Sequence, residues 1–229
     1  MKDNFVKFPS TLHLLLLPGI TVRGDKTLSE TERTEFLQHK IIIEEKVDGA
    51  NLGISFSPEG TIRFQNRGSY LQPPYSGQWK KLEEWFNPHT EQFFENLLDR
   101  YILFGEWCYA QHSVSYNLLP DWFLGFDIFD KKENRFYSVN RRNSLFKKID
   151  IQKVPEIKQG HFSVLDIQDL ISQSRLSNQP AEGLYLRIDQ DDWLINRAKL
   201  VRPAFIQTIE RHWSTATIKP NELHLNVHG

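Results

Sequence analysis

The stretch IIIEEKVDGAN, residues 41–51, constrains the fold of this chain more than any other. Three successive isoleucines favour a buried β-strand, because branching at Cβ suits a pleated sheet and restricts χ1 in a helix. Asp48-Gly49 then supplies turn chemistry. Side chains alternate across a strand, so Glu44, Lys46 and Asp48 share one face, while Glu45 and Val47 take the other. A face that should be apolar is charged. Alone, Lys46 reads either as a solvated lysine at a strand end or as a nucleophile at the mouth of a pocket. The partners offered by the rest of the chain decide between the two.

The coarse pattern along the chain is α+β. Ser29 and the acidic residues after it predict a short helix within 27–39, ahead of a strand at 40–46. NLGISFS and TIRFQNRG, joined by PEG, predict a hairpin. Helical spacing follows through GQWKKLEEWFNPHTEQFFENLLDR, broken near Pro88, with Trp79, Trp85 and Phe86 expected in the core. YILFGEW, DWFLGFDIFD and RFYSV predict further strands, and NRRNSLFKKI and LDIQDLISQSR predict helices. AEGLYLRI and DWLINRAKLVR predict a closing hairpin turning at Asp191-Asp192, and PAFIQTIERHW a last helix that starts at Pro203.

At 229 residues, 39% of them hydrophobic, the chain can bury a full core, and with no linker or repeat it is expected to form one domain over 1–229. That domain divides into an N-terminal segment (1–39), a core bearing the charged motifs (40–203) and a short C-terminal helix and tail (204–229). The longest apolar run, LHLLLLPGI, falls far short of the roughly 20 residues a membrane span needs. The N-terminus shows no secretory pattern, so the expected location is the cytoplasm. The single cysteine, Cys108, excludes an intrachain disulfide and a Cys-based zinc site, and reads as a small buried hydrophobe. A formal charge of −1 excludes bulk electrostatic coating of nucleic acid and leaves only a focused groove.

Charges interrupt five strand-like segments beside glycine or aromatic residues. They are Lys46 in KVDG, Glu106 in GEW, Asp127 in FDIFD, Glu182 in EGLYLR, and Arg197 with Lys199 in NRAK. Taken singly, each reads as an edge charge or a paired core group. Together they describe a pocket for a polyanion and a metal ion.

In this order, with Arg67 in NRG between the first two, the motifs resemble those of the covalent nucleotidyltransferases, the ATP-dependent ligases and capping enzymes. The resemblance covers about residues 40–203. It is closest to the RNA ligases: DNA ligases and capping enzymes usually carry arginine five residues after the lysine, whereas Asn51 stands here. The GEWCYAQHSVSY and FLGFDIFD segments are also similar to those of bacterial and phage RNA ligases.

The resemblance implies a nucleotidyltransferase fold of antiparallel sheets flanked by helices; the chain departs from the DNA ligases and capping enzymes in length, with only 30 residues (229 minus 199) after Lys199 where those add an OB-fold, so no OB-fold domain is expected. It implies an enzyme that joins an RNA 5′-phosphate to a 3′-hydroxyl in RNA repair, with ATP and Mg2+ or Mn2+ as cofactors and AMP carried on Lys46. Lys199 would contact the α-phosphate and Glu182 would hold the metal. Arg67 and Glu106 would contact the ribose, Phe126 would stack on adenine, and Glu44 would accept from the adenine amino group. Asp48, Asn51 and Asp127 belong to the motifs, and Arg197 stands where lysine is frequent. Tyr185 occupies the place beneath adenine, although strict alternation sets it opposite Glu182 unless Gly183 bulges the strand. RNA would be clamped by the domain itself, a short tail or a partner chain, with His112, Tyr116, Arg141, Arg142, Lys147 and Lys148 as candidate contacts. KFPSTLHL (7–14) offers a cover over the nucleotide site. Rival readings are a minimal DNA nick ligase and a non-catalytic nucleotide- or RNA-binding subunit.

Overall fold

The computed structural model describes residues 5–18, 27–203 and 218–224. Helix α1 (Glu30–Leu37) begins at Ser29 with a capping box in which Ser29 and Glu32 satisfy each other's backbone donors. Strand β1 (Ile41–Lys46) follows, and the hairpin of β2 (Ala50–Phe56) and β3 (Ile62–Gln65) turns at Gly60, whose φ of 82° suits glycine. Two short helices, α2 (Leu82–Phe86) and α3 (Thr90–Leu97), meet at a 3-10 turn containing Pro88. Next come β4 (Tyr101–Trp107), β5 (Phe123–Asp130), β6 (Arg135–Phe136) and α4 (Val139–Lys148). The described chain continues through β7 (Glu156–Gly160), α5 (Val164–Asp169), β8 (Gly183–Gln190) and β9 (Trp193–Val201).

Among the described residues these strands form two antiparallel sheets, one in the order β7-β1-β8-β9 and one in the order β3-β2-β4-β5-β6. The α+β class expected from the sequence is what the structure has. Three details differ. Strand β7, EIKQG, is a polar edge strand without the apolar alternation that marks a strand in sequence. Strand β6 is only two residues long, because Ser138 caps α4 and takes the backbone out of the sheet. Helix α5 stops at Asp169, well short of the segment predicted. The helix predicted from Pro203 lies outside the described residues beyond its first residue.

Each sheet buries one face in its own core. Ile41, Ile43, Leu184, Leu186, Ala198 and Leu200 pack with Phe36 and Leu14 on one side of the four-stranded sheet. Leu52, Ile54, Leu103, Trp107 and Phe123 pack with Trp85, Phe86 and Phe93 under the five-stranded sheet, with Trp79 against them, as the helical spacing predicted. The opposite faces look toward each other, and they carry the charges.

Residues 5–14 connect the two sheets. Gln65 Nε2 at the end of β3 donates to the Val6 carbonyl, and Lys199 of β9 is bracketed by Leu12 and Leu14 through hydrogen bonds of 2.9 and 2.8 Å. Between these anchors the buried Phe8 ring packs against Phe104, Phe126 and Phe136.

Candidate active site

Lys46 is the last residue of β1, directly opposite Gly183 of β8. Residues opposed in an antiparallel ladder share a face. Glu44, Tyr185 and Lys199 therefore form one row across β1, β8 and β9, and Ile42, Arg187 and Arg197 form the next. A Cβ on Gly183 would collide with the Leu200 carbonyl oxygen, so only glycine fits this approach of β8 to β9. Gly49 is equally restricted: a Cβ there would lie 2.6 Å from the Trp107 carbonyl, at the end of β4.

Lys46 Nζ donates to Glu182 Oε1 at 2.5 Å, and its side chain is 23% exposed against 6% for Glu182. Glu182 precedes β8 and so escapes the alternation that sets Tyr185 on the cleft face. The sequence expected the two on opposite faces; a bend at 182, not a bulge at Gly183, turns Glu182 toward Lys46, while Tyr185 stands opposite Glu44 on the cleft face. Glu106 enters from the other sheet, where it opposes Asn51 and accepts from the Gly49 amide at 3.1 Å.

This crowding shapes the ionisation of the site. Burial pushes Glu182 up to about 7, with Lys46 opposing the rise and Asp48 adding to it. Burial likewise pushes Glu106 up to about 7, opposed by Lys46 and by the exposed Arg67, and reinforced by Glu182. For Lys46 burial pulls downward, but the charges of Glu182, Glu106 and Asp48 outweigh it and hold the ammonium above its ordinary range. The nucleophile candidate is a clamped cation.

Asp48 grips the loop after β4. Its Oδ2 accepts from the Ser113 and Val114 amides at 2.7 and 2.8 Å, and its own amide donates to Tyr116 Oη at 2.7 Å. Burial raises its pKa against those hydrogen bonds and Lys46. Asn51 is buried nearby, and among the described residues its Oδ1 has no hydrogen-bond partner. A buried acceptor in that state suits a ligand hydroxyl or amino donor.

Deeper in the cleft, β5 bulges between Gly125 and Asp127, leaving Phe126 as the extra residue. Its carbonyl, freed from the ladder, accepts from Arg142 Nη1 at 2.6 Å and Arg187 Nη1 at 3.2 Å. Asp127 is fully buried between Arg187 at 2.5 Å and Arg197 at 3.2 Å. Arg197 also donates to Tyr185 Oη and lies 5.2 Å over Phe8 and 4.2 Å over Phe136. Lys199, half-buried on the same face, lowers the pKa of Glu182 through its charge.

Three of the expected RNA contacts sit elsewhere. Arg142 is fully buried and holds Glu44 with both terminal nitrogens, so it is no surface residue, and both Glu44 oxygens are engaged. Tyr116 is fully buried as the Asp48 partner. The His112 side chain is 7% exposed and 3.0 Å from Gln78, with its pKa lowered to about 4 by burial, so it is neutral at pH 7. Arg141 stacks 3.8 Å over Tyr137, and Lys147 and Lys148 are exposed. Sequence reasoning passed over Arg187, although its place two residues after Tyr185 sets it on the cleft face. Asn221 had no sequence signal. Cys108 is buried and unpaired, as expected.

Comparison with known proteins agrees with this geometry. The fold is similar to the RNA ligase of Naegleria gruberi in an apo mutant form, with a TM-score of 0.60 and 17% identity over 78% of this chain and 54% of that chain. A second apo mutant form gives a TM-score of 0.63 and 17% identity, covering 90% and 58%. A mutant form with ATP and Mn gives 0.59 and 18%, covering 78% and 53%. This chain thus spans a little over half the length of those structures. No curated protein matched. A model of the family described as RNA ligase matches residues 39–201, most of this sequence. With that span covering both sheets and every charged group around Lys46, the chain belongs to the RNA ligase family.

Proposed function

We propose that this protein is an ATP-dependent RNA ligase whose nucleophile is Lys46. One observation above all supports this: carboxylates from separate sheets, Glu182 and Glu106, converge on a single lysine beside a sheet face bearing Arg197 and Lys199. In the first step the Lys46 ammonium, hydrogen-bonded to Glu182 Oε1 at 2.5 Å, releases a proton to solvent. The neutral amine then attacks the α-phosphorus of ATP, forming a P–N bond as the bond to pyrophosphate breaks. Lys199 and Arg197 offset the charge of the phosphates. In the second step an RNA 5′-phosphate oxygen displaces Lys46 and takes AMP. In the third a 3′-hydroxyl attacks that phosphate, and AMP leaves.

The donor set fits a divalent cation of the magnesium type, which is bound by one or two carboxylates together with substrate phosphates. Glu182 would hold it; among the described residues no three His, Cys, Asp or Glu side chains form a ready-made cage. When bound, magnesium or manganese supplies positive charge that favours a neutral lysine and stabilises the departing pyrophosphate. Adenosine recognition falls to Phe126, Tyr185, Arg67, Asn51 and Glu106, with Glu44 reaching adenine only while retaining Arg142. We assign the enzyme to RNA repair in the cytoplasm, as a single domain over 1–229, on the motif resemblance and composition. RNA beyond the reacting ends would be held by exposed cations such as Lys147 and Lys148 or by a partner chain. Among the described residues no helix is long and apolar enough to cross a membrane.

The test is covalent labelling with ATP carrying a labelled α-phosphate, in magnesium, with Lys46→Ala beside the wild type. Label on the wild type alone is expected; no label, or equal label on the variant, refutes the mechanism. Offering labelled enzyme 5′-phosphorylated RNA and nicked DNA then separates the ligase types, with preference for nicked DNA counting against the RNA assignment.

A further inference from the structure

The family match ends at residue 201, yet residues 218–224 pack on the fold and tie the loop that holds Asp48. Lys219 accepts from the Gln111 amide at 2.8 Å, the Asn221 and Glu222 amides donate to the Tyr109 and Tyr116 carbonyls at 2.9 Å, and the His224 amide donates to Leu119 at 2.7 Å. At the centre stands Asn221, 4% exposed. Its Nδ2 donates to the Cys108 and Ala110 carbonyls at 2.8 and 3.2 Å, and its Oδ1 accepts from the Tyr116 amide at 2.8 Å. One amide side chain thus closes the neck of the loop between residues 110 and 116.

The closed loop contacts Asp48 at three points: the Ser113 and Val114 amides and the Tyr116 hydroxyl. This matters because β1 ends at Lys46. From Val47 to Gly49 the backbone lies outside the sheets; Glu106 holds the Gly49 amide, and the hydrogen-bond partners of Asp48 come from this loop. The course of the chain at Asp48, two residues after Lys46, is therefore set by contacts that Asn221 holds in place, beside the Glu106 contact at Gly49.

We propose that Asn221 is a positioning residue for nucleotidyl transfer, acting through Tyr116 and Asp48 on the placement of Lys46. The inference rests on the ligase reading above. Asn221 touches no reacting atom. Removing it lets the loop open and the Lys46 amine drift from its line of attack, where a displacement of about 1 Å can cost roughly a hundredfold in rate. Asparagine suits the position because it donates and accepts at once; an aspartate would set a carboxylate oxygen against two carbonyls.

The experiment compares wild type, Asn221→Ala, Tyr116→Phe and the double variant by label incorporation at saturating and limiting ATP, with thermal midpoints. Asn221→Ala is expected to lower the saturated rate roughly tenfold or more, with the KM for ATP changed less than about twofold, since alignment and not ground-state binding is lost. Tyr116→Phe, which removes only the hydroxyl that receives the Asp48 amide, is expected to lower the saturated rate with the KM for ATP little changed, and to lower the midpoint modestly because the buried Asp48 amide loses its partner. The double variant is expected to be no slower than the worse single variant, because the two lie on one route. Wild-type rates in either single variant, or effects that multiply, overturn the proposal. Should Asn221→Ala fail to fold, Tyr116→Phe decides alone. A wild type that takes no label refutes the ligase reading instead. Positioning is then read from the pH profile of Lys46 modification by trinitrobenzenesulfonate, where a profile displaced in Tyr116→Phe supports it and an unchanged one overturns it.

Discussion

Arg142 and Glu44, 98 residues apart in sequence, form a two-pronged ion pair at 2.6 and 3.2 Å with both side chains withdrawn from solvent. The pair joins α4 to β1 across the cleft. Arg142→Ala would leave Glu44 charged and buried without its hydrogen-bonded partner, with Arg187 as the remaining nearby cation, a change that costs about 3–5 kcal/mol. Urea denaturation is expected to show that loss. Glu44→Gln/Arg142→Gln, which removes both charges, is expected to recover much of it, and a double variant as unstable as Arg142→Ala would contradict this account.

Lys46→Arg separates stability from chemistry. Arginine keeps a cation against Glu182 and Glu106 but does not lose its proton at accessible pH. The variant is expected to unfold at a urea concentration close to wild type while taking no label. Retained labelling would place the nucleophile elsewhere.

Stability should fall as pH rises through neutrality. Glu106 and Glu182 hold their protons up to about 7 in the fold, against 4.5 ordinarily, so unfolding releases protons between those values. Their neutral forms favour the fold below about 4.5, and that advantage is lost as pH passes 7. Lys46, raised above 10.5, keeps its contribution unchanged over this window. Glu106→Gln is expected to flatten the slope of unfolding free energy between pH 5 and 8, and an identical slope would refute the assignment.

The same charges set the pH profile of labelling. Because Glu106 helps to hold Lys46 protonated, labelling at limiting ATP is expected to rise with pH, and in Glu106→Gln the rise should begin at lower pH. A profile displaced to higher pH would reverse the inferred sign.

Gly183→Ala tests the row behind Lys46. A methyl group directed at the Leu200 carbonyl must part β8 from β9 at the Gly183–Val201 pair, and overpacking of this kind costs about 1–3 kcal/mol. Reduced stability together with reduced labelling is expected; wild-type labelling would show that the row tolerates displacement.

Much of the cleft was legible in the sequence because strand alternation is strict. Glu44 and Lys46 were set on one face by counting, and the ladder puts Tyr185, Arg197 and Lys199 there too. Counting fails where the backbone leaves the sheet. Glu182 lies just before β8 and Phe126 on a bulge, so their directions depend on contacts made by residues distant in sequence. Basic and aromatic composition misled for the same reason. Arg142 shares a helix with the exposed Lys147 and Lys148, and only the packing of α4 on β5 turns it inward. Polar β7 pairs through its backbone with β1, and backbone pairing leaves no mark on an edge strand's composition.

Residues 5–14 work as a tie rod between the sheets. One end is pinned by Gln65 on β3 and the other by both peptide groups of Lys199 on β9, with the Phe8 ring wedged between. A hydrogen bond stretched past about 3.5 Å is effectively lost. Widening of the gap by about an ångström therefore either breaks an anchor or drags Lys199 along with β3. Independent motion of the two halves of the cleft therefore costs one of these hydrogen bonds, and residues 6–12 couple β3 to the strand that carries Arg197 and Lys199.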